Sequence, residues 1–203
     1  GYWTNEFYND RHGNTWIAAA TTYRYHHASG TFSVIPGSES MPVIPFAFAE
    51  DSSGHVWIAG HGIVRYNTTL NKFDRQLDSF PFIKMPDKQV SAMVIDKQNN
   101  IWFSSVNNGL ISYNADTKKI RHFTRNNGLP DDNIASLIII GQKIWMASYS
   151  GIACMDLQSL QIRRFGKDEG IPEIPVIRGS KFFYDASQQQ LYLGFYNVIL
   201  RFN

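Results

Sequence analysis

Six histidines are the residues of this sequence most able to do chemistry, because imidazole binds metals and exchanges protons near neutral pH. His26 and His27 are adjacent, so on a strand their side chains would point to opposite faces. No histidine pair has metal-ligand spacing beside a carboxylate, and phosphate-loop and nucleophile-elbow motifs are absent. Asp131 and Asp132 are paired, but their adjacency favours a turn or capping role. The sequence therefore predicts no catalytic residue, no metal site and no cofactor.

A second set of residues, polar and aromatic, has the composition of a carbohydrate site. Aromatic rings stack on the CH faces of sugars, and amides bind sugar hydroxyl groups. The candidate ligand-binding residues are His61, Asn107, Asn108, Tyr149 and Tyr196. Further polar residues that we expect near them are Asn127, Asp131, Asp132, Asn133, Asp168 and Glu169.

A repeat marked by tryptophan must position these residues. Trp16, Trp57, Trp102 and Trp145 are 41, 45 and 43 residues apart, and a further 47 residues lead to Tyr192. The residue after each of these five anchors is large and apolar, and the next one is small. Such alternation, with β-branched residues beside aromatic ones, predicts a strand that is at least half buried.

Each anchor strand lies within a larger unit. A turn of Asp, Asn and Gly precedes the anchor strand, and another short apolar segment precedes the turn. A third strand follows, opened by Gly62, Gly109 or Gly151 in three of the units, and a fourth strand follows in the first four. Four antiparallel strands in about 41 to 47 residues are typical of a β-propeller blade. We therefore predict an all-β fold of β-propeller blades.

The predicted chain is a single propeller segment with blades at about 2–36, 43–78, 90–125, 133–166 and 176–203, the last lacking its outer strand. Two arrangements fit this count. Five blades could close a ring with a three-stranded final blade, or they could form an arc of a larger, seven-bladed ring. We favour the arc, and because open edges pair readily, we expect it to self-associate.

Composition and charge limit the kinds of partner that we expect for this chain. The 203 residues are 43% hydrophobic with a net charge of +2, which supports one substantial core and gives no footprint for nucleic acid. No apolar run approaches the roughly 18 residues of a membrane span, so we expect no membrane contact by this segment. Cys154 is the single cysteine, so no internal disulfide forms. The N-terminal residues have no signal-peptide pattern.

The units resemble the two-component regulator propeller repeat. The stretch Asn126–Phe165, NNGLPDDNIASLIIIGQKIWMASYSGIACMDLQSLQIRRF, has the Gly-Leu-Pro entrance, the Trp strand and the Gly-Ile that opens the third strand. The stretch DEGIPEIPVIRGSKFFYDASQQQLYLGFYNVILRFN, which ends the chain, is similar to the closing blade of such rings. The first unit departs from the pattern at Thr22–Tyr23, and the fifth at Asn197–Val198.

This resemblance implies a periplasmic ectodomain of a hybrid two-component sensor of the Bacteroidetes type. In such proteins, paired seven-bladed propellers precede an immunoglobulin-like module, a membrane helix and a histidine kinase, and the ectodomain senses oligosaccharides. The expected partners are therefore an oligosaccharide or other small ligand, neighbouring blades and the immunoglobulin-like module.

Two other functions fit the same pattern. A propeller lyase would need a general base from the loops at the channel, and His61 is the only histidine expected there. A purely structural scaffold would need no site at all. We favour ligand sensing and expect no enzymatic activity in this segment, with the lyase and the scaffold as the alternatives.

Overall fold

The computed structural model describes residues 6–19, 21–40, 45–73, 89–171, 176, 179–194 and 198–202. These residues form nineteen β-strands, arranged in five antiparallel sheets that follow one another along the chain. Three short 3₁₀ helices in the described residues, Ser38–Ser40, Arg125–Asn127 and Lys167–Glu169, lie in connections between sheets. The predicted all-β propeller fold is confirmed.

Each sheet is one blade, and its strands pair in sequence order. Blade 1 contains β1 (Glu6–Asn9), β2 (Asn14–Ala18), β3 (Tyr23–His26) and β4 (Thr31–Val34). Blade 2 contains β5 (Ala47–Glu50), β6 (Val56–Gly60), β7 (Gly62–Asn67) and β8 (Lys72–Phe73). Blade 3 contains β9 (Val90–Ile95), β10 (Asn100–Ser105), β11 (Gly109–Asn114) and β12 (Ile120–Phe123). Blade 4 contains β13 (Ile134–Ile140), β14 (Lys143–Ser148), β15 (Gly151–Asp156) and β16 (Ile162–Phe165). Blade 5 contains β17 (Phe182–Asp185), β18 (Gln190–Gly194) and β19 (Ile199–Phe202), so its described part has three strands.

An aspartate six residues before the anchor tryptophan holds the first turn of blades 1 to 3. In blade 2, Asp51 Oδ1 accepts hydrogen bonds from the backbone N–H groups of Ser53 and His55, each at 3.0 Å. Its other oxygen, Oδ2, accepts the indole N–H of Trp57 at 2.9 Å. The same contacts recur around Asp10 in blade 1 and Asp96 in blade 3. Each of these carboxylates therefore joins the turn to the anchor ring.

Every blade has two faces, because neighbouring residues of a strand point to opposite sides of the sheet. We call the face with the anchor residue the donating face, and the face with the residue after the anchor the receiving face. Trp57 of blade 2, for example, packs in one buried cluster with Met93 and Phe103 of blade 3. The other three clusters join Trp16 to Phe48 and Ile58, Trp102 to Leu137 and Met146, and Trp145 to Phe182 and Leu193.

These four clusters are the core of the molecule. Trp16, Trp57 and Trp102 are each no more than 2% exposed. The donating face of one blade thus fills the receiving face of the next, from blade 1 to blade 5. This explains why both the anchor and the residue after it are large in the sequence.

The first and last blades meet at an ion pair. Lys181 Nζ, just before β17, lies 2.6 Å from Glu6 Oε2 at the start of β1. This contact completes a ring of five blades, which is one of the two arrangements that the strand count leaves open. The arc that we favoured would leave these two strands apart, whereas here they are joined at the centre of the ring.

Candidate functional site

The two inner strands of each blade bring the predicted loops to one end of the ring. Because the first two strands are antiparallel, the start of the first strand lies beside the end of the second. These ends surround a cavity of about 450 Å³, within the usual size range of small-molecule sites. Four blades contribute its lining residues, which are Phe46, Gln89, Ser91, Val106, Asn133, Ile134, Ala135, Tyr149, Gly179 and Lys181.

The cavity wall is partly apolar and partly hydrogen-bonding. Phe46 and Tyr149 contribute aromatic rings, and Tyr149 is 46% exposed, so part of its ring is accessible from solvent. Gln89 and Asn133 contribute amides. Lys181 contributes the only cationic side chain in the described lining, and Glu6 neutralises its charge. The site can therefore stack an uncharged ring and bind its polar substituents.

Asn133 connects the loops of two blades at the cavity. Its side-chain oxygen accepts the backbone N–H of Asn107 at 3.0 Å, and its carbonyl accepts the backbone N–H of Tyr149 at 3.2 Å. Asn107 adopts a left-handed backbone conformation with φ of 59°, which asparagine tolerates better than most residues. Asn133 therefore fixes the position of the Tyr149 loop relative to the Asn107 loop.

Asp131 supports this arrangement from behind. Its Oδ1 accepts the backbone N–H of Asn133 at 2.8 Å, and its Oδ2 accepts the hydroxyl of Ser150 at 2.5 Å. Burial by itself would raise the pKa of Asp131, but the hydrogen bonds from Ser150 and Asn133 outweigh it and lower that pKa below its usual value. The carboxylate stays ionised near neutral pH and acts as a hydrogen-bond acceptor in the loop.

Serines on the first strands join neighbouring blades around the cavity, and one of them, Ser91, is a lining residue. Ser91 on β9 donates a hydrogen bond to the carbonyl of Ile134 on β13 at 2.8 Å. Ser136 on β13 accepts the backbone N–H of Phe182 on β17 at 3.0 Å. These two hydrogen bonds join the first strand of blade 4 to those of blades 3 and 5.

The five predicted ligand-binding residues do not all line the cavity. Tyr149 lines the cavity. His61 lies next to it, with its ring edge-on to Phe46 at a centroid distance of 5.8 Å. Asn107 contacts the lining residue Asn133 through its backbone. Asn108 turns its amide to Ser105 and Val106 of its own loop, so it shapes that loop and is not part of the lining. Tyr196 lies outside the described residues.

Sequence reasoning missed several lining residues. Phe46, Gln89 and Lys181 each directly precede the first strand of their blade. Asn133, which we expected near the site, occupies this same position in blade 4. The signal was therefore positional: in blades 2 to 5 the residue immediately before the first strand lines the cavity, although its type differs from blade to blade.

Among the residues that the structure describes, no cluster of three or more His, Cys, Asp or Glu side chains has a metal-binding arrangement. No helix in this described part of the chain is long and apolar enough to cross a membrane.

Comparison with known proteins identifies the repeat. Residues 84–107 match the family described as two component regulator propeller, so the resemblance predicted from the sequence is confirmed. The matched stretch runs into β9 and β10 of blade 3 and contains Trp102. No curated protein matches the sequence.

Several solved structures share the fold. The extracellular domain of a putative hybrid two component system from B. thetaiotaomicron has a TM-score of 0.77 and 20% identity, covering 100% of this chain and 28% of that one. The extracellular domain of a putative one component system from the same organism has a TM-score of 0.75 and 17% identity, covering 100% and 30%. PorZ, a surface component of the type-IX secretion system of Porphyromonas gingivalis, has a TM-score of 0.64 and 13% identity, covering 98% and 32%. The chain spans less than a third of each of these proteins.

Proposed function

We propose that this propeller binds an oligosaccharide in the cavity at the channel mouth, as part of the periplasmic ectodomain of a two-component sensor. The observation that supports this most is the cavity itself, with an accessible tyrosine and two amides contributed by different blades. A sugar ring needs an aromatic face and several hydrogen-bonding groups, and this wall provides both.

The sensor role rests on the propeller repeat and on the solved structures of similar fold, two of which are extracellular domains of putative bacterial signalling systems. In such a protein the ligand would bind outside the membrane, and a histidine kinase in another part of the protein would receive the signal. Blades that contact one another through continuous packing can pass a change at the cavity to neighbouring domains.

Titration calorimetry tests the binding step. The purified chain is titrated with a panel of neutral and acidic oligosaccharides. Tyr149→Ala should weaken binding of any hit by about tenfold or more, because it removes a stacking ring at a cost of about 1.4 kcal/mol or more. Leu70→Ala is the matched control, since Leu70 is 60% exposed and lies in the turn between β7 and β8, away from the cavity lining.

Two results would count against the proposal. One is a panel in which no oligosaccharide binds to the chain or to a longer ectodomain that contains it. The other is a binding constant that Tyr149→Ala leaves equal to that of Leu70→Ala.

A further inference from the structure

The fifth seam of the ring, between blade 5 and blade 1, differs from the other four. At those four, a donating face packs into a receiving face and both become buried. At the fifth, Phe7 of blade 1 is 62% exposed and Phe183 of blade 5 is 64% exposed. Both residues lie on the first strands of their blades. The residues that hold the position of Phe7 in blades 2 to 4 are each no more than 8% exposed, and they are Phe48, Met93 and Leu137. Ala49, which holds the position of Phe183 in blade 2, is 5% exposed.

The exposed side of blade 1 is a receiving face. Phe7 stands three residues before Asp10, as Phe48 stands three before Asp51, and it pairs across the sheet with Ile17. Phe48 is 5% exposed because it packs with Trp16. The same side of blade 1 continues through Tyr23 and Val34, which are 37% and 48% exposed. This face therefore has the residues that receive an anchor ring, yet among the described residues no anchor ring covers Phe7, which is 62% exposed.

The exposed side of blade 5 is a donating face. Tyr192 holds the anchor position, and it pairs across the sheet with Phe183 on one side and Arg201 on the other. In blade 2, Trp57 pairs in the same way with Arg65, whose guanidinium lies 5.7 Å from the centre of the indole ring. Blade 5 thus presents an aromatic ring and an arginine in the arrangement that blade 2 uses to pack on blade 3.

These two faces are complementary. Within the ring, blade 1 and blade 5 are joined by the ion pair of Glu6 with Lys181. The side chain of Lys181 is 41% exposed and that of Glu6 is 21% exposed, so water and salt weaken the contact. Large apolar surface left open in this way is a common site of association.

We propose that the fifth seam opens and that blade 5 of one copy packs on blade 1 of a second copy. The interface would repeat the contact that already joins the four packed seams, with Phe183 and Tyr192 of one copy against Phe7 and Ile17 of the next. Such an interface is head-to-tail, because each copy uses a different face, so assembly continues beyond the dimer unless the rotation closes a ring.

Charge placed on each face separately tests this assembly. Wild-type chain at about 100 μM should form dimers and larger oligomers in analytical ultracentrifugation, and their share should fall on dilution. Phe7→Glu alone and Phe183→Glu alone should each raise the dissociation constant about 100-fold or more, because each buries a charge in an apolar contact. Ile120→Glu is the control, since Ile120 is 48% exposed on β12 of blade 3 and should leave assembly unchanged.

Mixing the two variants is the decisive part of this experiment. The Phe7→Glu chain keeps an intact blade 5 face, and the Phe183→Glu chain keeps an intact blade 1 face. Their mixture should therefore form dimers that do not grow further, which also shows that both variants are folded. A wild-type chain that stays monomeric at about 100 μM contradicts the proposal. Dimers of Phe183→Glu alone would mean that like faces pair, and that also overturns it.

Discussion

Replacing Trp57 by phenylalanine separates the two ways in which an anchor stabilises the ring. The indole of Trp57 is 2% exposed, and its N–H donates a 2.9 Å hydrogen bond to Asp51, a carboxylate that is itself 7% exposed. Trp57→Phe keeps a ring in the core between blades 2 and 3 but removes this donor. The carboxylate then loses a partner in a place that water hardly reaches.

The expected cost follows from that geometry. A hydrogen bond to a buried charged group contributes about 1.5–3 kcal/mol, and the smaller ring leaves a void, so Trp57→Phe should cost about 2–4 kcal/mol. Trp57→Ala removes the whole ring and should cost about 3–5 kcal/mol from lost packing alone. Trp145→Phe is the control, because Trp145 is half buried and Ile139 occupies the position six residues before it. Its loss should be about 1 kcal/mol.

Urea denaturation followed by far-ultraviolet circular dichroism measures these differences without relying on tryptophan emission. In a thermal scan, each kcal/mol should lower the midpoint by about 2–4 °C for a protein of this length. Equal losses for Trp57→Phe and Trp145→Phe would refute the reasoning, because the carboxylate would then contribute nothing beyond the ring.

Three further outcomes follow from local geometry. Gly109→Ala should lower the free energy of unfolding in urea by about 3 kcal/mol or more, because the φ of Gly109 is +69° and a Cβ would lie 2.2 Å from the carbonyl oxygen of Phe123. Gly141→Ala is the control: its φ is +61° but a Cβ there would meet open space, so the loss should be only about 1 kcal/mol. Burial alone would raise the pKa of Asp10, but hydrogen bonds from the turn and the anchor indole outweigh it and lower that pKa. The folded state therefore loses stability as pH falls below about 4 and through the folded pKa, and Asp10→Asn should flatten that part of a pH–stability curve. Burial raises the pKa of the Cys154 thiol by more than its cationic neighbours lower it. Because the thiol is also buried, its reaction with a disulfide reagent should be slower in the native chain than in urea by a factor of about 100 or more. A native rate equal to the rate in urea would contradict this.

The sequence predicted the blades because their packing requires large residues at fixed positions. Trp57 and Ile58 are adjacent, point to opposite faces and fill two different seams, so both must be large. The spacing of Asp51 and Trp57 recurs in three blades, but the sequence pattern predicted only a turn at these aspartates. The hydrogen bond from the indole to the carboxylate was found in the structure.

Closure of the ring could not be predicted in the same way. It depends on Glu6 and Lys181, which are ordinary surface residue types separated by almost the whole chain. Nothing in the local pattern of either residue marks it as a contact between blade 1 and blade 5.

The candidate site was predictable only in part. Tyr149 was found because its loop follows a recognisable anchor strand, and it lines the cavity. Gln89 and Lys181 were missed because a lining position before a first strand accepts any residue type, so composition gives no signal there. Asn108 has the expected chemistry, but its amide is used within its own loop.

Hydrogen exchange with and without a bound oligosaccharide tests the central claim, that ligand binds at the channel mouth of this propeller. The account predicts slower exchange in the cavity segments 89–91, 106–108 and 133–135 and at Tyr149, with no change in the outer strands β12 and β16. Protection confined to the outer strands, or to the opposite end of the ring around Asp51 and Asp96, would place the ligand elsewhere and contradict the account.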